Sequence, residues 1–348
     1  MGFSHRLAHE RVLMIFSVIL FLACAGLIYL ACEYFVNGVE WVGRRLNLGS
    51  TTTGTVLAAF GTALPESAVT FVAVVFGHNE AQKNIGVGAA VGGPLVLSTI
   101  SYAVVGIVLL LSRRKLQRRD ACLEVDCRRL SRDQGWFLLI FVISISLGLT
   151  AFSFKRWLGI ALFAAYGLYV WREMRNDNSS VDDHDELEPL KFRPHDENPG
   201  LGWASVQTLS ALVVIAIASR VFVTQLESLG TGLGISAQFI ALLLSPVATE
   251  LPETLNAVIW VRQGRERLAL ANISGAMMIQ ATVPAGLGLL FTSWRFDGPL
   301  VAAGVITTAA IAVLWATFRR RTVSAKTLVP IGGLYLLFAA AVVWLRLT

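Results

Sequence analysis

Long apolar runs separated by short charged stretches are the feature that most constrains the fold of this chain. Of its 348 residues, 55% are hydrophobic and 15% are charged, whereas a soluble domain carries about 25% charged residues. About 20 apolar residues cross a bilayer, and a backbone in lipid must satisfy its own hydrogen bonds, so such runs form helices. The sequence therefore predicts an all-α protein embedded in the lipid bilayer. The net charge of +6 comes from loops and does not indicate binding to nucleic acid.

The apolar runs predict ten transmembrane helices. The first run is too long for the apolar region of a signal peptide, and no A-x-A cleavage site follows it, so we interpret it as a spanning helix. The predicted spans cover residues 11–36, 51–76, 85–111, 136–152, 156–171, 201–227, 235–261, 267–291, 298–318 and 327–346.

The basic residues predict the orientation of these helices. The loop between the third and fourth spans is the most basic, and cytoplasmic loops carry an excess of Lys and Arg. With that loop in the cytoplasm, 21 of the 29 basic residues lie on the cytoplasmic side. The sequence therefore predicts a multi-pass protein of the plasma (inner) membrane with both termini outside.

An acidic segment at 173–200 separates two five-helix halves, residues 1–172 and 201–348. The segment is acidic and polar (VDDHDELEPL, then HDENPG), and its spacing of carboxylates matches no EF-hand loop. We predict a mobile, solvated cytoplasmic linker, with a calcium-sensing role as the alternative.

The two halves contain a matching segment. Residues 33–66 align without a gap with residues 220–253, at an offset of 187 residues. Because each half has an odd number of spans, the second half must enter the membrane upside down, which is the inverted-repeat design of many secondary transporters. Both halves carry T-x-L-P-E, and its polar and proline positions are Thr62, Pro65 and Glu66 in the first copy and Thr249, Pro252 and Glu253 in the second.

The repeated motif has the chemistry of a cation site. Pro65 and Pro252 each remove a backbone donor and break a helix inside a predicted span, which frees carbonyl oxygens. A carboxylate within a membrane helix is costly and is by default functional. Carboxylates, carbonyls and hydroxyls suit Ca²⁺, Na⁺ or Mg²⁺, so we predict that Glu66 and Glu253 face one site from opposite sides. A structural kink with a paired glutamate is the alternative.

No motif indicates an enzyme or an organic cofactor. The chain lacks a Gly-rich phosphate loop, an H-E-x-x-H zinc motif and a G-x-S-x-G nucleophile elbow. All five histidines fall outside the apolar runs, so we expect no histidine metal site within the membrane. The predicted partners are the bilayer and small inorganic cations.

At these motifs the chain resembles the calcium/cation antiporter superfamily, that is, the sodium/calcium exchangers and their relatives. GTALPE at 61–66 and ATELPE at 248–253 resemble its G-T-S-L-P-E signature. The resemblance covers residues 33–111 and 220–291, and it implies ten helices in two inverted five-helix repeats.

The resemblance also implies where the cations bind. The two family motifs correspond to residues 51–111 and 235–291. In the family the two glutamates bind Ca²⁺, and nearby hydroxyls and carbonyls bind Na⁺. The residues that match the family at these positions are Glu66, Glu253, Thr62 and Thr249.

The second part of each motif departs from the family pattern G-N-x-x-G-S-N-x-x-N. The first copy reads GAAVGGPLVL at 88–97, with Gly93 in place of serine. The second copy reads ANISGAMMIQ at 271–280, so it keeps Asn272 but ends in the neutral Gln280. The site therefore loses side-chain oxygens, although Asn272 and Gln280 remain candidate ligands.

Glu250 is an additional acid, which stands where most relatives carry serine. We predict that it lies near Glu66 and Glu253 and restores the acidity that Gln280 lacks. The alternative is that it points toward the cytoplasmic vestibule and only attracts cations.

Glu33 and Arg220 are charged residues at equivalent positions of the repeat. Unpaired charges in a membrane helix are costly, so we predict an ion pair between them. The alternative is that each side chain reaches water separately.

Together these features predict a secondary active antiporter that exchanges Ca²⁺, or a similar cation, against Na⁺ by alternating access. Exchange against H⁺ is the alternative, because clustered carboxylates can trade a proton for a cation. A cation channel is the third possibility.

Overall fold

The structure is a computed structural model that describes residues 2–46, 64–117, 121–176, 188–320 and 322–347. These residues form an all-helical protein, which confirms the predicted class. In chain order the helices are α1 (Gly2–Arg45), α2 (Leu64–Phe76), α3 (Glu80–Val96), α4 (Tyr102–Ser112), α5 (Cys127–Leu149), α6 (Leu158–Asn176), α7 (Leu201–Leu233), α8 (Ala237–Thr249), α9 (Leu251–Arg262), α10 (Glu266–Phe291), α11 (Gly298–Phe318), α12 (Ala325–Leu328) and α13 (Gly333–Leu347). A π-helical turn at Leu97–Ser101 joins α3 to α4, and 3₁₀ turns at Lys155–Trp157 and Val329–Gly332 precede α6 and α13.

Within the described ranges, seven helical segments are long and apolar enough to cross a membrane. They are Met14–Arg45, Glu80–Ser112, Cys127–Leu149, Leu201–Leu233, Glu266–Phe291, Gly298–Phe318 and Ala325–Trp344. The other three predicted spans fall on α2, on α6 and on the α8–α9 pair. The protein is thus a multi-pass membrane protein, while the count of ten spans stays a prediction.

Helices α1 and α7 pack against each other as an antiparallel pair. Phe21 of α1 stacks on Phe222 of α7, with ring centroids 4.7 Å apart. Gly38 of α1 lies so close to α7 that a Cβ atom on it would come within 2.5 Å of the Thr208 hydroxyl oxygen. The pair shares one hydrophobic cluster with faces of α2, α3 and α8, and most of the remaining helices enclose a second, larger cluster.

The predicted ion pair between Glu33 and Arg220 is wrong. Glu33 pairs with Lys191, with 3.4 Å between Oε2 and Nζ, whereas Arg220 donates a hydrogen bond to Nε2 of His78. In the antiparallel α1–α7 pair, Phe21 lies beside Phe222 and Asn37 beside Gln207. The register of the antiparallel pair separates the two charges by roughly 15 Å along its axis, at 1.5 Å per residue.

Residues 188–199, here called the strap, fold across one end of the α1–α7 pair. Asn37 of α1 donates from Nδ2 to the carbonyl of Glu188 at 3.2 Å. Gln207 of α7 accepts from the backbone N–H of Phe192 at 2.8 Å and donates from Nε2 to Asn37 at 2.9 Å. The strap is therefore bonded to both helices at once.

The acidic linker stays a prediction, but its strap is held against the α1–α7 pair, with Leu190 fully buried and most of the other strap residues exposed. Residues 177–187 of the predicted linker lie outside the described residues. The physical reason is that Asn37 and Gln207 are buried polar side chains within long apolar helices, and they satisfy the backbone of the strap.

We expect Gln207→Leu to release the strap. The substitution leaves the N–H of Phe192 and the carbonyl of Tyr34 without their partner, at a cost of about 1–3 kcal/mol per unsatisfied group. Trypsin should then cut the variant after Lys191 markedly faster than it cuts the parent protein. Ser210→Ala, a neighbouring change on α7, is the control, and an unchanged cleavage rate in Gln207→Leu would contradict the expectation.

Candidate functional site

The second copy of T-x-L-P-E lies where one helix ends and another begins. Helix α8 ends at Thr249 and α9 begins at Leu251, and Glu250 between them has φ −99° and ψ −9°. Pro252, in the first turn of α9, has no N–H to donate to the turn before it. The two helices are thus separate at the point where the motif predicts a break.

The first copy of the motif is described only in part. Pro65 and Glu66 lie in the first turn of α2, and Glu66 is buried with 1% of its surface exposed. Thr62, a predicted ligand, lies outside the described residues. Its role therefore stays a prediction.

The Thr249 hydroxyl connects carboxylates from the two halves. Its oxygen lies 2.5 Å from Oε2 of Glu66 and 3.1 Å from Oε1 of Glu250. The carbonyl oxygen of Ser245 is also 3.1 Å away. A hydroxyl has a single hydrogen to donate, so it serves one of these three acceptors at a time. The excess of acceptors favours a cation or an additional proton at this point.

Gln280 of α10 binds the second oxygen of Glu250. Its Nε2 donates to Oε2 of Glu250 at 2.8 Å. Gly93 of α3 leaves space beside this pair, because a Cβ atom there would lie 2.8 Å from Oε1 of Gln280 and 3.2 Å from Oε1 of Glu250. The missing side chain at position 93 therefore forms part of the wall of the site.

Other buried polar atoms near these residues have no hydrogen-bond partner within the part of the chain that is described. They include Oε1 of Glu66, Oε2 of Glu253, Oε1 of Gln280 and the hydroxyl of Ser245. Most buried polar groups in proteins are hydrogen-bonded. The unpartnered oxygens are hard ligands of the kind that Ca²⁺ and Na⁺ take.

The three acids of the site have no counter-charge among the residues that the structure describes. Glu66, Glu250 and Glu253 are at most 2% exposed, and Glu253 lies within electrostatic range of the other two. No Lys, Arg or His among the described residues forms an ion pair with them. An uncompensated buried charge costs several kcal/mol, so the acids require a bound cation or protons.

Glu253 shares no hydrogen bond with Glu66, Thr249 or Glu250 in the described part of the chain. No group of three or more His, Cys, Asp and Glu side chains in the described ranges could hold a single metal ion. Glu253 is in the first turn of α9, beyond the break, and lies in electrostatic range of Cys32 on α1. The structure therefore brings Glu66 to Glu250 through Thr249, but it does not join Glu253 to them on one ion.

The two predicted ligands on α10 lie at different heights. Gln280 contacts Glu250, whereas Asn272 precedes Gln280 by eight residues, roughly 12 Å along the helix. The Nδ2 atom of Asn272 is buried without a partner in the described chain. Asn272 therefore lies off the cluster formed by Glu66, Thr249 and Glu250.

Two polar residues of this region were missed in the sequence. Ser245 precedes Thr249 by one helical turn, and positions four apart share a helix face, so the spacing could have identified it. Ser101, in the π-helical turn, has its hydroxyl 2.7 Å from that of Thr254 on α9. Such turns are often found at functional sites, but no sequence motif marks this one.

Comparisons with known proteins identify the fold and the relatives. The family model described as "Sodium/calcium exchanger protein" matches residues 16–174 and 203–347. The putative antiporter CaxA from Alkalimonas amylolytica is 24% identical over 317 residues, which cover 88% of this chain and 91% of CaxA. The inner membrane protein YrbG from Escherichia coli is 26% identical over 287 residues, or 82% of each protein.

A solved structure has the same fold. The sodium-calcium exchanger NCX_Mj, soaked with 10 mM Na⁺ and zero Ca²⁺, superimposes with a TM-score of 0.58 and 18% sequence identity. The superposition covers 94% of this chain and 99% of NCX_Mj. The strap, by contrast, lies between the two ranges that the family model matches.

Proposed function

The chain belongs to the sodium/calcium exchanger family and is therefore a membrane transport protein, and from this premise we propose that it exchanges Ca²⁺, or a similar cation, against Na⁺ by alternating access. The observation that carries the proposal is the Thr249 hydroxyl, which lies between a buried carboxylate of each half. A transported cation placed there would contact both halves at once, so a movement of one half against the other would change its access.

The proposal includes ten spans in two inverted five-helix repeats, in the plasma (inner) membrane with both termini outside. Contacts between loops support this arrangement. The bridge between Cys122 and Ser324 joins two loops that the basic residues assign to the cytoplasm. The N–H of Phe296 donates to the carbonyl of Gly148, which joins the loop after α10 to the last turn of α5, both at the side assigned to the outside.

The ligands fit a cation that is cargo rather than a resident cofactor. Two carboxylates, Glu66 and Glu250, and neutral oxygens from Thr249, Gln280 and Ser245 surround the candidate position. Ca²⁺ takes six to eight oxygen ligands, including waters, so these groups would supply only part of its shell. A site that holds its ion incompletely in one conformation suits binding and release.

Exchange against H⁺ is a second candidate, and the lack of counter-charge favours it. When the cation leaves, the buried acids Glu66, Glu250 and Glu253 have no Lys, Arg or His partner among the described residues. Protons would then neutralise them, and clustered carboxylates can exchange protons for a cation. A cation channel is the third candidate, since it would use the same ligands without coupling.

Flux into proteoliposomes tests these candidates. Purified protein is reconstituted, and Ca²⁺ uptake is followed with an imposed Na⁺ gradient, with an imposed pH gradient and with neither. We expect uphill Ca²⁺ uptake driven by Na⁺. Uptake driven by the pH gradient alone would select H⁺ exchange, and downhill flux that ignores both gradients would select a channel. Absence of Ca²⁺ movement in all three conditions would refute the proposed cargo.

We expect Gly93→Ala to weaken Ca²⁺ binding by about tenfold, which corresponds to roughly 1.4 kcal/mol. The added Cβ would lie 2.8 Å from Oε1 of Gln280, so the amide must move and its hydrogen bond to Glu250 is strained. Titration calorimetry of the detergent-purified protein measures the change. Gly26→Ala is the matched control, because a Cβ at Gly26 meets no atom within 4 Å. Equal affinities in both variants would show that this wall does not shape the site.

A further inference from the structure

The loops that follow α5 and α10 meet in a cavity that the exchange mechanism does not use. The cavity has a volume of about 320 Å³, which is within the range of about 300–1,000 Å³ for small-molecule pockets. Its polar lining consists of three basic side chains and three hydroxyls, from Lys155, Arg156, Arg295, Ser153, Thr292 and Ser293. It lies on the side of the protein opposite the strap, at the loops assigned to the outside.

Buried hydrogen bonds hold the walls of this cavity in place. Lys155 is only 6% exposed, and its Nζ donates to the carbonyls of Thr150 at 2.8 Å and Trp294 at 2.9 Å. Trp294 is 1% exposed, and its Nε1 donates to the carbonyl of Ser144 at 3.0 Å. The two loops are therefore held together by buried hydrogen bonds, and Lys155 is positioned before any ligand arrives.

The cations are close together without an acid. The pKa of Lys155 is lowered from its ordinary value by burial and by the positive charge of Arg295. No carboxylate is among the residues that line the cavity, and neither arginine forms an ion pair with a described carboxylate. Neighbouring like charges repel each other, so an anion bound in the cavity would reduce the repulsion between Lys155 and Arg295.

We propose that this cavity, formed by Lys155, Arg156 and Arg295, binds the phosphate group of an anionic phospholipid. Arginine matches the geometry of phosphate oxygens through paired N–H donors. The hydroxyls of Ser153, Thr292 and Ser293 provide further donors.

The rim of the cavity favours a lipid over a free anion. Phe152, Phe154 and Trp157 surround Lys155 in sequence and are 40%, 61% and 56% exposed. Arg156 lies over the Trp157 ring at 5.3 Å from its centroid. Aromatic rings and arginines of this kind lie at the headgroup level of membranes, where a phosphodiester is available.

Lipid retention by the full-length protein tests the proposal. The protein is purified from vesicles containing phosphatidylglycerol and phosphatidylcholine, and the lipids that remain bound are measured by native mass spectrometry. We expect preferential retention of phosphatidylglycerol, and at least about tenfold weaker retention in Arg156→Gln/Arg295→Gln, since each basic residue near the surface contributes to anionic-lipid binding. Lys83→Gln, which removes another outer basic residue that pairs with Glu80, should retain the lipid.

The outcomes separate the sources of phosphate. Displacement of phosphatidylglycerol by millimolar inorganic phosphate would confirm that the phosphate group is what the cavity holds. The parent protein could instead retain no lipid but be stabilised thermally by inorganic phosphate, with that stabilisation lost in the double variant. This result would overturn the lipid proposal and indicate a site for free phosphate. Equal retention of both lipids, or equal retention by parent and double variant, would refute the proposal. None of these measurements depends on transport.

Discussion

Glu66→Gln and Glu253→Gln are each expected to abolish exchange, with a loss of at least about a hundredfold, since removing a charge from a buried charged arrangement costs about 3–5 kcal/mol. Glu66 and Glu253 are both almost completely buried and belong to opposite halves of the repeat. Glutamine keeps the size of glutamate, so the loss would come from charge rather than from packing. Ca²⁺ uptake in proteoliposomes is the measurement.

The control for this experiment is Glu227→Gln. Glu227 is a carboxylate near the end of α7 that accepts hydrogen bonds from Asn79 and Gln82, each at 2.8 Å. It is remote from the site, and we expect its loss to leave most of the exchange activity. Each variant is compared at equal amounts of protein that elutes as the parent does on size exclusion. Near-normal uptake in Glu66→Gln or Glu253→Gln would reject the model in which both halves contribute to one transport site.

The two substitutions also distinguish the roles of these acids. Glu66 shares the Thr249 hydroxyl with Glu250, whereas Glu253 has no hydrogen bond to Thr249 or Glu250 among the described residues. If Glu253 binds the cation only after a conformational change, its substitution should reduce uptake more than it reduces equilibrium binding. Glu66→Gln should reduce both equally.

The helical class and the pairing of the two halves follow from local sequence. Apolar runs of sufficient length can only be helices in lipid, and seven described segments meet that requirement. The doubled T-x-L-P-E identified Glu66 and Thr249, which the structure brings into contact. These features can be predicted from sequence because membrane insertion and helix breaking each depend on residues that are close together in the chain.

The errors arise where partners come from distant parts of the chain. The expected pair of Glu33 and Arg220 did not allow for the register of the antiparallel α1–α7 pair, and Glu33 instead meets Lys191 of the strap. The strap itself has a polar composition, and its backbone is held by side chains of α1 and α7, namely Asn37, Trp41, Arg45 and Gln207. Composition cannot show such partners. Asn37 and Trp41 on α1 are more than 140 residues away from the strap in sequence, and Gln207 lies on the other helix of the pair.

Gly93 illustrates a further limit of prediction from sequence. In the sequence it is a missing serine oxygen, whereas in the structure it is space that the Glu250–Gln280 pair requires. The absence of a side chain becomes informative only when the atoms opposite it are known. The same holds for Glu253, whose distance from the joined acids depends on the direction in which α9 leaves the break.

Glu250→Ser is expected to weaken Ca²⁺ binding by about tenfold or more, because an interaction with a charged group contributes about 1.5–3 kcal/mol. The substitution removes one of the two carboxylates that the Thr249 hydroxyl joins, and it also leaves Nε2 of Gln280 without its acceptor. With one acid fewer to protonate, the pH dependence of exchange should flatten near neutrality. Calcium titrations and uptake measured across a series of pH values test both effects.

The double variant Glu250→Ser/Gln280→Glu isolates the charge from the position. Nε2 of Gln280 lies 2.8 Å from Oε2 of Glu250, so a carboxylate at position 280 would occupy nearly the same place and restore the number of acids. We therefore expect it to recover most of the calcium affinity and of the pH dependence that Glu250→Ser loses. The single change Gln280→Glu is the matched control, and it should bind Ca²⁺ poorly at low pH because a fourth acid has been added beside Glu250. If Glu250→Ser keeps the affinity and pH profile of the parent, Glu250 is not a ligand. If Glu250→Ser loses calcium affinity and the double variant does not regain it, the amide of Gln280 has a role of its own in orienting the site.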